Sequence, residues 1–400
     1  MVSRKGSISV KVLVMYEYPP LPAGLSTQGD LLFQGLQHHG VDARAVHFKS
    51  SSEKEWYYRW FAPDIAVGVG YWGYTPDLVC HPQQFGVMPI PWLVADGYIG
   101  NFNDTLNQLP LILLTSNWVR EVYIRDGIQP EHLEVLPVGC DTDAFIPRAA
   151  DDPKVAAVRK AFGVAEDELM LLTVGGDAAS KGAREVMQAL AEVTGEVPPW
   201  KYVCKVWPQE RTVRQNHEDL VLARELGIDQ QVIFSTGKIS RNFMPYLLAA
   251  CDLYVGPSRL EGFGMPHVEA NACGKPVIAI DAMAFRDTLV HGQTALLAGV
   301  AQVNHIDEAV LGDNALENAG QRVVFASPRI ADYRASVPDI ARHLRTLMGD
   351  AALRRTMGLA GRQRVAALFD YRVVARQFLD IVHRCLPEQG MATAMARSDL

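Results

Sequence analysis

Residues 257–276 read Pro257-Ser258-Arg259-Leu260-Glu261-Gly262-Phe263-Gly264-Met265-Pro266-His267-Val268-Glu269-Ala270-Asn271-Ala272-Cys273-Gly274-Lys275-Pro276. Pro266 suits the first position of a helix, because the N–H it lacks would have no partner there. Gly274 suits the left-handed residue that closes one. A helix of about two turns over 266–273 is expected, entered through the loop 261–264. Its free N–H groups and its dipole make an anion site, and the loop glycines let a ligand approach the backbone. Glu261 lies in the loop and Glu269 inside the helix. Spacing alone fits a pair of carboxylates facing a ligand and a pair of surface glutamates beside a turn equally well.

Outward from this stretch, short apolar runs alternate with helical patterns. Runs at 169–174, 201–206, 231–234, 253–255 and 276–280 read as buried strands, and 181–193 as a helix with Val186, Leu190 and Val193 on one face. An earlier series has strands at 10–16, 64–69, 111–115 and 133–138, with helices near 27–38 and 119–126. Such alternation argues for parallel sheets covered by helices. The expected fold class is α/β, two Rossmann-like doubly wound domains facing an interdomain cleft, towards which strand carboxyl ends point. The expected domains are 1–150, 151–368, and a C-terminal segment 369–400 that carries an amphipathic helix. The polar stretch 148–154 reads as the linker.

Composition narrows the classes. The 400 residues are 48% apolar and 21% charged, which is globular and too long for one ordinary core. With 38 Lys plus Arg against 45 Asp plus Glu the net charge is −7, a poor basis for general nucleic-acid binding. Six cysteines include no C-x-x-C pair, which fits neither a zinc site nor a disulfide framework and reads as a reduced, cytoplasmic chain. The apolar stretch after Arg4-Lys5 is interrupted by Lys11 and ends at Glu17, too short for a signal peptide. No run approaches the about 18–20 apolar residues of a membrane span.

The 257–276 stretch resembles the E-x(7)-E signature of retaining family-4 glycosyltransferases, which have the GT-B fold. Three further segments resemble that family in the expected order: 135–147 its interdomain segment, 175–182 (Gly-Gly-Asp-Ala-Ala-Ser-Lys-Gly) its phosphate loop, and Pro19-Pro20 through Gly24 its N-terminal glycine loop. The likeness covers residues 10–300 and 331–386, and it alone implies that the helix of 369–386 crosses back to the first domain. It implies transfer of a hexose from a UDP- or GDP-linked donor to an acceptor hydroxyl, of a glycan or small glycoside, with retention. A GT-B sugar-nucleotide epimerase and a non-catalytic nucleotide-sugar-binding relative are the alternatives.

By the same resemblance Glu269 holds the ribose hydroxyls and Glu261 meets hydroxyls of the donor sugar near its anomeric carbon. The N–H groups of Gly262, Phe263, Gly264 and Met265 and the glycine loop at Gly24 line the donor, and Lys181 neutralises the departing diphosphate. No cofactor and no metal is implied, because lysines and helix N-termini can carry the diphosphate. Two positions depart from the family. Gly176 stands where an arginine is usual, which makes Lys205, on the strand 201–206, the candidate for the second positive charge. Asp96 stands in the region where the family places a histidine, and its type fits a sugar or acceptor contact and an ordinary turn equally.

Two motifs are declined. Asp141-Thr142-Asp143 has the metal-binding D-x-D form but sits in the interdomain segment, where a turn with capping carboxylates is expected. Gly68-Val69-Gly70-Tyr71-Trp72-Gly73 matches a dinucleotide fingerprint, but it follows the wrong strand and has no acid at the expected spacing. Residues 55–61 (Glu-Trp-Tyr-Tyr-Arg-Trp-Phe) are too aromatic to bury entirely, and either line an acceptor cleft or touch a lipid surface. The near-zero local charge weakens the lipid option. Residues 299–330 depart from the family pattern, and the sequence leaves their role and the oligomeric state open.

Overall fold

The computed structural model describes residues 10–95, 97–311 and 320–386. Its contacts divide the chain into two units. One comprises residues 1–139, 307–326 and 370–400, and the other 140–306 and 327–369.

The first unit is built on six parallel strands: β1 (Lys11–Tyr16), β2 (Asp42–His47), β3 (Ile65–Tyr71), β4 (Met88–Val94), β5 (Ile112–Leu114) and β6 (Leu133–Val135), in the order β2-β1-β3-β4-β5-β6. The Lys-Val-Leu-Val-Met-Tyr run of β1 is buried from its second residue on, as a strand covered on both faces must be. Gly24 opens the helix Gly24–His38, and Ala23 occupies its N-cap. The C-terminal helix Tyr371–Cys385 packs along Gly24–His38 inside this unit. Gly35 brings the two helices close, since a Cβ there would lie 2.6 Å from the Cβ of Ala375. Asp370 caps that helix by accepting the N–H of Arg372 at 2.8 Å.

Strand β4 was not foreseen, because Met-Pro-Ile-Pro-Trp-Leu-Val carries two prolines, and proline cannot donate to a ladder. The structure accommodates both. Residues 88–94 all pair with β3, but only Trp92 and Leu93 pair with β5. Pro89 and Pro91 therefore lie where β4 has a single neighbour. The declined glycine fingerprint also finds its reason here. A Cβ on Gly68 would lie 2.7 Å from the Cβ of Leu78, so the glycines admit the turn that follows β3.

The second unit repeats the plan with β7 (Leu169–Val174), β8 (Trp200–Val206), β9 (Val232–Thr236), β10 (Leu253–Val255), β11 (Val277–Ile280) and β12 (Ala295–Ala298). Their order is β12-β11-β10-β7-β8-β9, again all parallel, so the winding reverses between β7 and β10. Loops leaving the carboxyl ends at such a switch point diverge and leave a crevice for ligands. The described residues of 299–330 contribute most of a two-stranded ribbon, β13 (Val300–Val310) and β14 (Arg322–Ala335).

The chain passes between units at Gly139–Cys140 and not in the stretch 148–154 read as a linker. Asp152 instead caps the helix Pro153–Ala161, accepting the N–H of Lys154 at 2.8 Å. No helix among the described residues is long and apolar enough to cross a membrane.

Candidate functional site

The two loops that flank the switch point of the second unit carry the two charges singled out in the sequence. Strand β7 runs into Gly175–Gly182, and the helix Ala183–Val193 follows, with Gly182 as its N-cap at φ +79°. Strand β10 runs into 256–264, and the helix Met265–Ala272 follows, with Gly264 as its N-cap at φ +87°. This second helix begins one residue earlier than the proline suggested, so Pro266 is its second residue. Gly274 adopts φ +72°, the expected left-handed closure.

The loops are joined to each other. The N–H of Arg259 donates to the carbonyl of Ser180 at 2.8 Å, and Gly182 lies against the carbonyl of Pro257. Across this junction Lys181 Nζ donates to Glu261 Oε2 at 2.7 Å. Glu261 Oε1 accepts the N–H of Gly264 at 3.2 Å, and its own N–H meets Met283 Sδ at 3.2 Å. Burial opposes the charge of Glu261, but the Lys181 ammonium and the hydrogen bonds from Lys181 and Gly264 outweigh it and hold the carboxyl below its ordinary range. Phe263 turns its ring into the unit, edge-on to Phe369 at 5.8 Å.

Glu269 is in the opposite condition. No hydrogen bond or ion pair reaches its carboxylate among the described residues, and burial pushes it up to about 7 against the weaker pull of Arg241. Lys205, 5% exposed, is its cationic counterpart. Burial lowers the pKa of Lys205, and its ammonium has no partner among the described residues. Lys205 stands beside Val174 in the β7–β8 register, and its carbonyl accepts the N–H of Gly175 at 3.0 Å. The lysine therefore adjoins the loop that lacks the arginine. At Gly176 itself, the position a Cβ would take lies 3.4 Å from the indole of Trp207. Glu269 and Lys205 thus lie in one unit, each without a hydrogen bond or ion pair to its charged group among the described residues, and burial opposes the charge of both.

His267 had been given no role by the sequence. It is buried, its Nε2 donates to the carbonyl of Gly256 at 2.6 Å, and burial lowers its pKa to about 4. A neutral imidazole thus pins the exit of β10 to the helix that bears Glu269. Asp141 Oδ1 accepts the N–H groups of Asp143 and Ala144 at 3.1 and 3.0 Å, so the D-x-D carboxylate caps a turn. Gly24 lies in the first unit and Asp96 lies outside the described residues.

Two doubly wound parallel units in tandem define an α/β protein of the GT-B fold. Anabaena Alr3699/HepE, solved in complex with UDP-glucose, has the same fold with a TM-score of 0.70 at 15% identity, covering 94% of this chain and 99% of that one. Residues 155–325, which include Lys181, Glu261 and Glu269, match the family described as glycosyl transferases group 1. The D-inositol 3-phosphate glycosyltransferase of Rhodococcus erythropolis is 28% identical over 230 residues, 57% of this chain and 48% of the relative. The GDP-mannose-dependent alpha-(1-6)-phosphatidylinositol monomannoside mannosyltransferase of Mycolicibacterium smegmatis is 27% identical over 212 residues, 51% and 53% of the two chains. The chain thus spans about half the length of these curated relatives.

Proposed function

We propose that the protein transfers a hexose from a nucleoside-diphosphate sugar to an acceptor hydroxyl with retention of anomeric configuration. The observation that carries this reading is the Lys181–Glu261 pair at the β7/β10 switch point, accompanied by the unpartnered Glu269 and Lys205. In this reading the ribose hydroxyls donate to Glu269, whose carboxylate accepts two at once. Lys181 exchanges its hold on Glu261 for the diphosphate, and Glu261, so released, accepts hydroxyls of the sugar. Lys205 supplies the second charge in place of the arginine absent at Gly176.

The bond from the anomeric carbon to the phosphate oxygen breaks, and its electron pair leaves with the nucleoside diphosphate. The acceptor oxygen bonds to that carbon on the same face, and the acceptor proton passes to the departing phosphate. Lysine charge and the N-terminus of Met265–Ala272 meet the growing negative charge, so no divalent cation is required. By the family resemblance alone, Gly24 is assigned to donor binding and Asp96 to a sugar or acceptor contact.

The reading is tested by incubating the purified protein with UDP- and GDP-linked hexoses and a panel of glycoside acceptors, following nucleoside diphosphate release and the anomeric configuration of the product. Transfer with retention that persists in excess EDTA is expected. Inversion, release of a free epimer, or loss of transfer on chelation with recovery on adding manganese would contradict it.

A further inference from the structure

Arg259 ties the ribbon β13–β14 to the loop that carries Glu261. Its N–H is bonded to Ser180, and its carbonyl accepts the N–H of Tyr333 on β14 at 2.8 Å. Its guanidinium places Nη2 at 2.9 and 3.1 Å from the two oxygens of Glu185. Glu185 lies in the first turn of Ala183–Val193, directly after the Lys181-Gly182 loop. The same carboxylate accepts Arg334 Nη1 from β14 at 3.3 Å. Arg334 Nε is bonded to Asp332 at 2.8 Å, and Asp332 accepts Asn304 from β13 at 2.8 Å. Two arginines and two carboxylates thus form a neutral, partly buried network joining both ribbon strands to both loops.

A network of this kind costs desolvation, and removing one member leaves the others with unmatched charge. What it supplies here is geometry: Arg259 is two residues from Glu261, and Glu185 four from Lys181. We infer that Arg334, acting through Glu185 and Arg259, is a positioning residue that sets the Glu261 loop against the Lys181 loop, so that the ribbon base belongs to the donor site. The consequence for catalysis rests on the proposed function, while the consequence for the loop does not.

The test compares the full chain with Arg334→Met and Arg334→Lys, and with Glu185→Gln as a second way to break the same link. Amide hydrogen exchange in 258–264 should rise about tenfold in Arg334→Met and in Glu185→Gln, with β7 and β10 unchanged. Where donor turnover is measured, kcat should fall about tenfold with KM for donor within about threefold, and Arg334→Lys should recover part of it. Exchange in 258–264 at the wild-type rate overturns the inference, as does a uniform rise through the whole unit, which would make the network only structural. A wild type that turns over no nucleotide sugar contradicts the proposed function, and the exchange rates of 258–264 still decide whether the ribbon holds the loop.

Discussion

Glu269 and Lys205 are each placed against their own electrostatic preference, and this gives paired, separable expectations. For Glu269 the folded pKa of about 7 lies above the ordinary glutamate value of 4.5. The folded state therefore binds a proton more tightly than the unfolded state, and the carboxyl costs stability as pH rises from the lower value through 7. Glu269→Gln removes that cost. Its melting temperature should exceed that of the wild type at pH 8, by an equivalent of up to about 3 kcal/mol, and the excess should shrink towards pH 5. Equal stability at both pH values would contradict the assignment.

Lys205 has the opposite sign, since burial lowers its pKa and its charged form is the strained one at neutral pH. Lys205→Met should melt higher than the wild type at pH 7, while turnover of a nucleotide sugar falls by about tenfold or more. A variant that melts higher and turns over donor normally would leave the diphosphate with Lys181 alone. Neither residue's condition was legible in the sequence. A glutamate inside a short helix and a lysine near a strand end are ordinary there, and what sets them apart is burial with no partner for the charged group among the described residues.

Among the elements, the two loops at the switch point depend on the backbone of Gly182. At φ +79° a side chain is strained, and a Cβ would also run into the carbonyl of Pro257 on the opposing loop. Gly182→Ala should therefore lose roughly 1–3 kcal/mol in denaturant titration and depress donor binding with it. Unchanged stability would mean the loops are not held as described. The strands that carry these loops, β7 and β10, were readable to the residue, because short apolar runs between turn residues leave little else to be. Strand β2 was missed because Asp-Ala-Arg-Ala-Val-His is half polar. Strand β4 was missed because its prolines are compatible with a strand only where a neighbour is absent, which is a property of the sheet. The network on Arg259 was invisible for a similar reason, since its partners lie 74 and 149 residues apart along the chain.

For the whole molecule, the contact division returns the last described helix to the first unit. Tyr371–Cys385 lies on Gly24–His38 at Gly35, where a Cβ would come within 2.6 Å of Ala375 and 2.7 Å of the carbonyl of Tyr371. Gly35→Val should destabilise the first unit selectively, seen as faster amide exchange in 11–16 and 24–38 with 169–174 unaffected. Equal effects on both sets would show that the helix does not serve the first unit. Amphipathic periodicity predicted a helix over 369–386, and only the family resemblance implied its return to the first domain. The boundary at Gly139–Cys140 did not, because the segment 140–152 is polar and loop-like yet belongs with the second unit.

In the proposed function the second unit grips a nucleoside diphosphate through Glu269, together with the Lys181–Glu261 pair. Calorimetric titration of UDP and GDP into wild type and Glu269→Ala at pH 7.5 tests it most directly. One nucleotide should bind one-to-one to the wild type, weakened about 30-fold or more in the folded variant as two charged hydrogen bonds are lost. Below pH 7 the wild type should release a proton on binding, as the ribose hydroxyls favour the ionised carboxylate. Equal affinity in wild type and Glu269→Ala, or no binding of either nucleotide to the wild type, would contradict it.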